Sequence, residues 1–294
     1  MREVFKSFSL LLIFNISISA SEKSISEAKM IYQSSFEKEI LLPPQRDGSP
    51  IWWQKLQRDN NKTKELGSFQ IIVNSKNLKR YLVNKIEKTI GINNKKTKAL
   101  HQIIKKKELG WTQDPYLIET KDKEVKQLYI RYSLKYPKNL SKLIGKEGWV
   151  VFSEFKTVSD YRLAFYVYKD KYGKLYWYVH GDNVVLDDIP YIQYWDRKNK
   201  KVSVPVGEWI DVEIFWKRSK GSDGRVWLAI NGKKTIDYHG ETKLKDPIRI
   251  IMPYTNYSNN PIDQWIDNVE IWDNFPCGNG KSCHKNKNKI LKGK

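Results

Sequence analysis

Three short segments place ionisable and phenolic side chains on one common face. They are W-V-V-F-S-E-F-K at 149–156, Y-R-L-A-F-Y-V-Y at 161–168 and L-Y-W-Y-V-H at 175–180. Each alternates in the manner of a half-buried strand. Successive side chains of a strand face opposite sides. Phe152, Glu154 and Lys156 therefore fall together, as do Arg162, Ala164, Tyr166 and Tyr168, and Tyr176, Tyr178 and His180. The reverse faces hold Val151, Ser153 and Phe155, then Leu163, Phe165 and Val167, then Leu175, Trp177 and Val179, and belong in a core. The turn K-Y-G-K at 171–174 joins the last two segments as a hairpin. One side of this meander thus presents Glu154, Lys156, Arg162, Tyr166, Tyr178 and His180. Such a set can bind a sugar and move protons. It could equally be an ordinary solvent-facing side of a sheet, where cross-strand charges and aromatics pair.

The flanking sequence supplies the elements that must hold this face. Q-L-Y-I-R-Y-S-L at 127–134 alternates, and V-P-V-G-E-W-I-D-V-E-I-F-W-K starts at 204. G-R-V-W-L-A-I-N-G spans 224–232, and W-I-D-N-V-E-I-W spans 265–272. Few stretches look helical, and no repeat or linker interrupts the pattern. The expectation is an all-β fold: a two-sheet antiparallel jelly-roll sandwich with few short helices, in a single domain over 21–276. Trp195, Trp209, Trp216, Trp227, Trp265 and Trp272 read as core. Residues 61–110 are the least regular. F-Q-I-I-V at 69–73 is a strand candidate, and 74–98 carries no assigned structure. In the loop I-P-Y-I-Q-Y-W, Tyr191, Tyr194 and Trp195 could rim a groove and stack on sugars, or plug the end of the sandwich. Tyr254 and Tyr257 share that ambiguity. His239 reads as a turn residue.

Residues 1–20 read as a signal peptide. Arg2 and Lys6 lead into an apolar run over 8–18, and small residues follow, with Ala20 the expected last residue. The run is too short to span a bilayer, and no later segment is apolar enough to be a membrane helix. The expected location is periplasmic or extracellular. Cys277 and Cys283 predict a small disulfide loop that staples the tail. Zinc would need more ligands than His284 adds. Residues 277–294 are this loop and a basic, disordered tail. The net charge is +20, from 53 Lys and Arg against 33 Asp and Glu. It is concentrated between Lys76 and Lys107 and from Lys281 to Lys294. Such charge attracts polyanions, or is simply the solvated surface of a Lys-rich composition. No nucleic-acid-binding motif is present, so no specific nucleic acid is expected, and the chain is expected to be a monomer. No cofactor is required. Calcium is an option at Asp263, Asp267 and Asn268, which could instead bond loop backbone.

From about residue 110 to 276 the chain resembles the heparin lyase I-like group of polysaccharide lyases, within the concanavalin A-like lectin and glucanase superfamily. The matching words are L-Y-I-R-Y-S-L-K, W-V-V-F-S-E-F-K-T, D-Y-R, Y-W-Y-V-H-G-D-N, V-P-V-G-E-W, G-R-V-W-L-A-I-N-G and W-I-D-N-V-E-I-W. The resemblance implies a jelly roll whose groove takes an acidic polysaccharide, cleaved by β-elimination beside a uronic acid. That reaction needs a neutralised carboxylate, a base for the C5 proton and an acid for the leaving oxygen. His180 is the first candidate base. Tyr166 or Tyr178 is the acid or an alternative base. Arg162, Lys156 and Asn183 could meet the carboxylate, and Glu154 could act as a protonated acid or orient its neighbours. The chain has no Gln-x-His strand of the alginate-lyase kind and no E-x-D-x-x-E strand of the glycosidase kind. Two further readings use the same fold: a non-catalytic carbohydrate-binding protein, and an envelope protein held on anionic polymer by its basic tail.

Overall fold

The structure is a computed structural model. It describes residues 28–37, 40–41, 54–57, 69–71, 82–104, 116–119, 125–157, 161–183, 190–242, 247–248, 250–254 and 260–284. The expected signal peptide, the Trp52-Trp53 pair, Tyr257 and the basic tail beyond 284 lie outside the described residues. In chain order the elements are β1 (Met30–Ser34), β2 (Ile40–Leu41), β3 (Gln54–Gln57), β4 (Phe69–Ile71), β5 (Leu82–Ile90), β6 (Lys96–Ile104), β7 (Tyr116–Glu119), β8 (Gln127–Lys135), α1 (Leu140–Leu143), β9 (Trp149–Lys156), β10 (Arg162–Lys169), β11 (Leu175–Asp182), β12 (Gln193–Asn199), β13 (Trp209–Lys217), β14 (Arg225–Ile230), β15 (Lys233–His239), β16 (Ile250–Tyr254) and β17 (Ile262–Trp272).

The strands form two antiparallel sheets, as the alternation predicts. The back sheet runs β15-β14-β13-β8-β17-β6-β5, with β1 also on β17. The front sheet runs β12-β11-β10-β9-β16-β7-β4-β3-β2. Between them lies one apolar core. Leu128, Ile130, Tyr132 and Leu134 of β8 and Ile210, Val212, Ile214 and Trp216 of β13 meet Phe155, Leu163, Phe165 and Trp177 of the front sheet. Phe155 and Trp216 approach to 5.6 Å between ring centroids, and Phe152 meets Trp177 edge-on at 5.3 Å. Each such side chain contributes about 2 kcal/mol by burial. Local turns agree with the register. Asn231 and Gly232 both have positive φ, 49° and 77°, and close the tight β14–β15 hairpin; this handedness matches strand twist, which is why Asn-Gly suits it. No helix among the described residues is long and apolar enough to cross a membrane.

Three features depart from the sequence reading. First, β9 carries a bulge. Ser153 pairs with Phe165 and Val151 with Tyr166, so Phe152 is left without a partner. Phe152 turns into the core, and Val151 joins Ala164, Tyr166 and Tyr178 on the outer face. The alternation had assigned these two residues the other way round. Second, residues 82–104 form a regular hairpin, with Ile86 opposite Leu100 and Gly91 N–H donating to Lys95 carbonyl at 2.8 Å. Its own sequence is too polar to announce a strand. Pairing of β6 with β17 supplies the context.

Third, the tryptophans divide among different places. Trp216 lies in the sandwich core. Trp227 and Trp272 are buried on the outer side of the back sheet, with Tyr129, Phe215, Phe275 and Cys283. Trp209 and Trp265 are half-buried, with Lys135 Nζ over both rings at 5.9 and 5.5 Å. The disulfide joins Cys277 to Cys283 as expected, but its loop does more than staple a tail, because it roofs this second apolar layer. Polar contacts anchor the roof. The fully buried Glu213 carboxylate accepts hydrogen bonds from Tyr129 Oη, Ser282 Oγ and, at 2.6 Å, Cys283 N–H. His284 Nδ1 meets Asp211 at 2.7 Å, and Asp211 holds Arg131 through two bonds of 3.0 and 2.8 Å. Removing the shared acceptor strands several donors. Glu213→Ala should lower the unfolding free energy by roughly 3 kcal/mol in a urea titration, against at most about 1 kcal/mol for Ser282→Ala.

Candidate functional site

Residues directly opposite one another in antiparallel strands point to the same side, so the register defines rows across the outer face of the front sheet. One row is Lys156, Arg162 and Asp182; the next is Glu154, Ala164, His180 and Asp196. Val151, Tyr166, Tyr178 and Lys198 follow, and Trp149, Tyr168 and Tyr176 after them. The six residues expected to share a face do share it.

The centre of the site is a residue the sequence reading passed over. Asp182 has no solvent exposure. Arg162 grips it with both ends of its guanidinium, Nε to Oδ1 at 2.9 Å and Nη2 to Oδ2 at 2.6 Å. His180 Nε2 lies 3.0 Å from Oδ2. Burial raises the Asp182 carboxyl pKa, but the bonds from His180 and Arg162 outweigh it and hold the group below its ordinary value. Asp182 is therefore an acceptor, so the His180 proton is assigned to Nε2. Tyr166 Oη lies 3.2 Å from the same nitrogen, and its own proton is left to point elsewhere. His180 Nδ1 is then a lone pair, buried and without a hydrogen-bond partner among the described residues.

The phenols are donors at neutral pH. Burial pushes the Tyr166 hydroxyl pKa well above its usual value; Arg162 opposes this, and Glu154 and Asp182 reinforce it. Tyr178 is raised by burial and then by Asp196. Tyr168 is pushed up to about 12 by burial and then by Tyr176. The charges close on one another. Glu154 Oε1 lies 3.1 Å from Lys156 Nζ and 3.7 Å from Arg162 Nη1. Two carboxylates thus face two cations.

Other expected site residues are elsewhere or otherwise engaged. Asn183 does not face the cluster: its amide donates to Pro190 carbonyl at 2.8 Å and accepts from Ile192 N–H at 2.9 Å. Trp195 is a core residue and not a groove rim. Its indole donates to Tyr161 Oη at 2.8 Å and its ring stacks on Tyr238 at 4.0 Å. A second bulge produces this placement. Trp195 pairs with Gly181 and Gln193 with Asp182, so Tyr194 sits in the bulge and its ring lies 5.9 Å from Tyr161. Tyr191 is exposed. Gln193, also missed, receives the hydroxyls of Tyr178 and Tyr191, each at 3.3 Å. Gly181 is obligatory between His180 and Asp182, since a Cβ there would sit 2.0 Å from Tyr161 Oη. The signal for Asp182 was available, since it lies two residues beyond His180 and keeps the alternation. The strand had simply been ended too early.

The calcium candidates do not converge. Asp263 meets His101 Nε2 at 3.1 Å, Asp267 accepts from Thr97 Oγ1 at 3.0 Å and from Asn268 N–H at 2.7 Å, and no metal-binding cluster of three His, Cys, Asp or Glu occurs among the described residues. His239 ends β15, with Nε2 3.2 Å from Asp237.

No protein-family model matches the chain, and no curated protein matches it. Solved structures do. Alginate lyase Aly36B is 17% identical, the match covering 59% of this chain and 80% of its own, with a TM-score of 0.43. An endo-beta-1,4-glucuronan lyase from the fungus Trichoderma reesei is 9% identical, covering 68% and 88%, with a TM-score of 0.44. The binding domain of botulinum neurotoxin DC, in complex with SialylT, is 10% identical, covering 71% and 44%, with a TM-score of 0.39. Likeness at this level assigns neither a family nor a chemistry.

Asp267 provides a pH test of the back sheet. Burial raises its pKa to about 7, although bonds from Asn268 and Thr97 oppose the shift. A carboxyl raised on folding stabilises fully below its unfolded value of about 4, and that stability is lost as pH rises through about 7. Wild type should lose on the order of 3 kcal/mol between pH 4 and pH 8 that Asp267→Asn retains, read as the difference in denaturant midpoints.

Proposed function

We propose that this chain is an exported polysaccharide lyase that cleaves a uronate-containing polysaccharide by β-elimination. The observation that carries the reading is the Tyr166–His180–Asp182–Arg162 chain, in which a protonated phenol adjoins an imidazole fixed by a buried, ionised carboxylate. The words shared with the heparin lyase I-like group agree with it. In this mechanism Arg162 Nη1 and Lys156 turn from Glu154 to the sugar carboxylate and make C5–H acidic. The C5–H bond breaks and its proton passes to the His180 imidazole. The electron pair forms the C4–C5 double bond as the C4–O bond breaks. Tyr166 donates its proton to the departing oxygen. Tyr178, held by Gln193, orients the sugar. Burial suits Tyr166 to the acid role, since a raised pKa keeps its proton on until charge develops on the leaving group. Export after Ala20 agrees with a disulfide.

A second reading rests on a specific observation. The charges of the cluster are mutually satisfied and His180 is only 5% exposed, which suits a non-catalytic carbohydrate-binding protein. One assay separates the two. Mature protein is incubated with a panel of polyuronates, and the ultraviolet absorbance of the unsaturated uronate is followed. The lyase reading expects a rise, with kcat reduced roughly 100-fold or more in Tyr166→Phe and in His180→Ala while binding persists. A flat trace with intact glycan binding would establish the binding protein instead.

A further inference from the structure

At the proton-transfer cluster the cations that face a sugar carboxylate, Arg162 Nη1 and Lys156, already meet Glu154. Arg162 is bound to a buried carboxylate at two points, and a ligand cannot exchange a contact of that kind cheaply. Two rows further along the sheet the situation is different. Lys198 lies beside Tyr178, and Lys200 continues the line beyond it. Both lysine side chains are 54% exposed. Lys198 Nζ sits 5.4 Å over the Tyr178 ring and Lys200 Nζ 5.0 Å over Tyr176. Their acidic partners are distant, Asp196 at 3.5 Å and Asp170 at 3.7 Å. Exposed pairs of this sort are worth little and are readily replaced by a carboxylate or sulfate. Cation–π contact meanwhile keeps each ammonium in place. The half-buried rings of Tyr168 and Tyr176 lie nearly parallel, 24° apart, with centroids 5.8 Å from one another. From His180 to Tyr176 the strand advances about 13 Å, at roughly 3.3 Å per residue.

We infer that Tyr168, Tyr176, Tyr178, Lys198 and Lys200 form a binding tract for an anionic oligosaccharide, which continues from the His180 cluster along the sheet and grips the acidic groups of the chain there. The inference rests on the glycan reading of this face, but not on catalysis. Tyrosine rings offer apolar surface to sugar faces, and Lys198 on β12 and Lys200 just beyond it offer charge to the acidic groups of the chain. The tract begins at the cluster, where the Tyr178 and His180 ring centroids are 5.4 Å apart, so a ligand of two sugars engages only its near end, whereas one of six spans it to Lys200.

The test compares binding of oligouronates of two and six residues by calorimetry in the full chain, in Lys198→Gln/Lys200→Gln, and in Lys95→Gln/Lys96→Gln. The last variant removes equal charge from the exposed β5–β6 turn on the other sheet. The tract predicts that Lys198→Gln/Lys200→Gln weakens hexamer binding at least 10-fold, flattens its salt dependence and weakens dimer binding much less, while the control variant binds as wild type. If cleavage occurs, KM for long chains should rise while kcat holds. Absence of an unsaturated product with this binding contrast intact would remove the lyase and keep the tract. Equal losses in the two variants, unchanged hexamer binding, or equal weakening toward duplex DNA or phosphatidylserine vesicles would each overturn it.

Discussion

A carboxylate with no access to water must be satisfied by its neighbours, and the front of this protein is arranged around that requirement. Asp182 takes two bonds from Arg162 and one from His180. Desolvating an unpaired carboxylate would cost several kcal/mol. The pairing therefore fixes the register of β10 on β11 at the point where the imidazole is set. It also selects the residue between the pair. Gly181 leaves room for the Trp195–Tyr161 hydrogen bond on the core side, so the outer chemistry and the inner packing meet at one position without a side chain.

The back sheet meets the same problem differently. Arg131, Asp211 and Glu213 are each nearly or fully buried on its outer side, where one would expect water. The disulfide loop excludes that water and supplies donors in exchange, through Ser282, Cys283 and His284. Aromatic packing of Phe275 on Phe215, at 4.2 Å, seals the margin. The domain thus has a sandwich core and a smaller roofed layer, and the second depends on a segment with almost no regular structure.

Much of this was legible in the sequence. Alternation gave the strands from 127 onward, the hairpin at 171–174 and the shared face of Glu154, Lys156, Arg162, Tyr166, Tyr178 and His180. What escaped has a common cause. A bulge changes the phase of a strand without changing its composition, so the sides of Val151 and Phe152 could not be read from a period of two, nor could the placement of Tyr194. Asn183 looked like a ligand for a carboxylate because its side chain is a good donor. Its engagement in the loop is decided by Pro190 and Ile192, whose positions no local pattern encodes. The 82–104 hairpin is polar because part of its support comes from a strand some 160 residues later.

That last dependence reaches into how the molecule is assembled. β17 lies between β8 and β6 and also carries β1. Until residues 262–272 arrive, the β5–β6 hairpin and β1 have no edge to join, and β8 exposes one open side. Closing these pairings requires loops of well over a hundred residues, a topology that folds slowly and leaves sheet edges unpaired meanwhile. Assembly of the back sheet is accordingly a late event in the life of the chain.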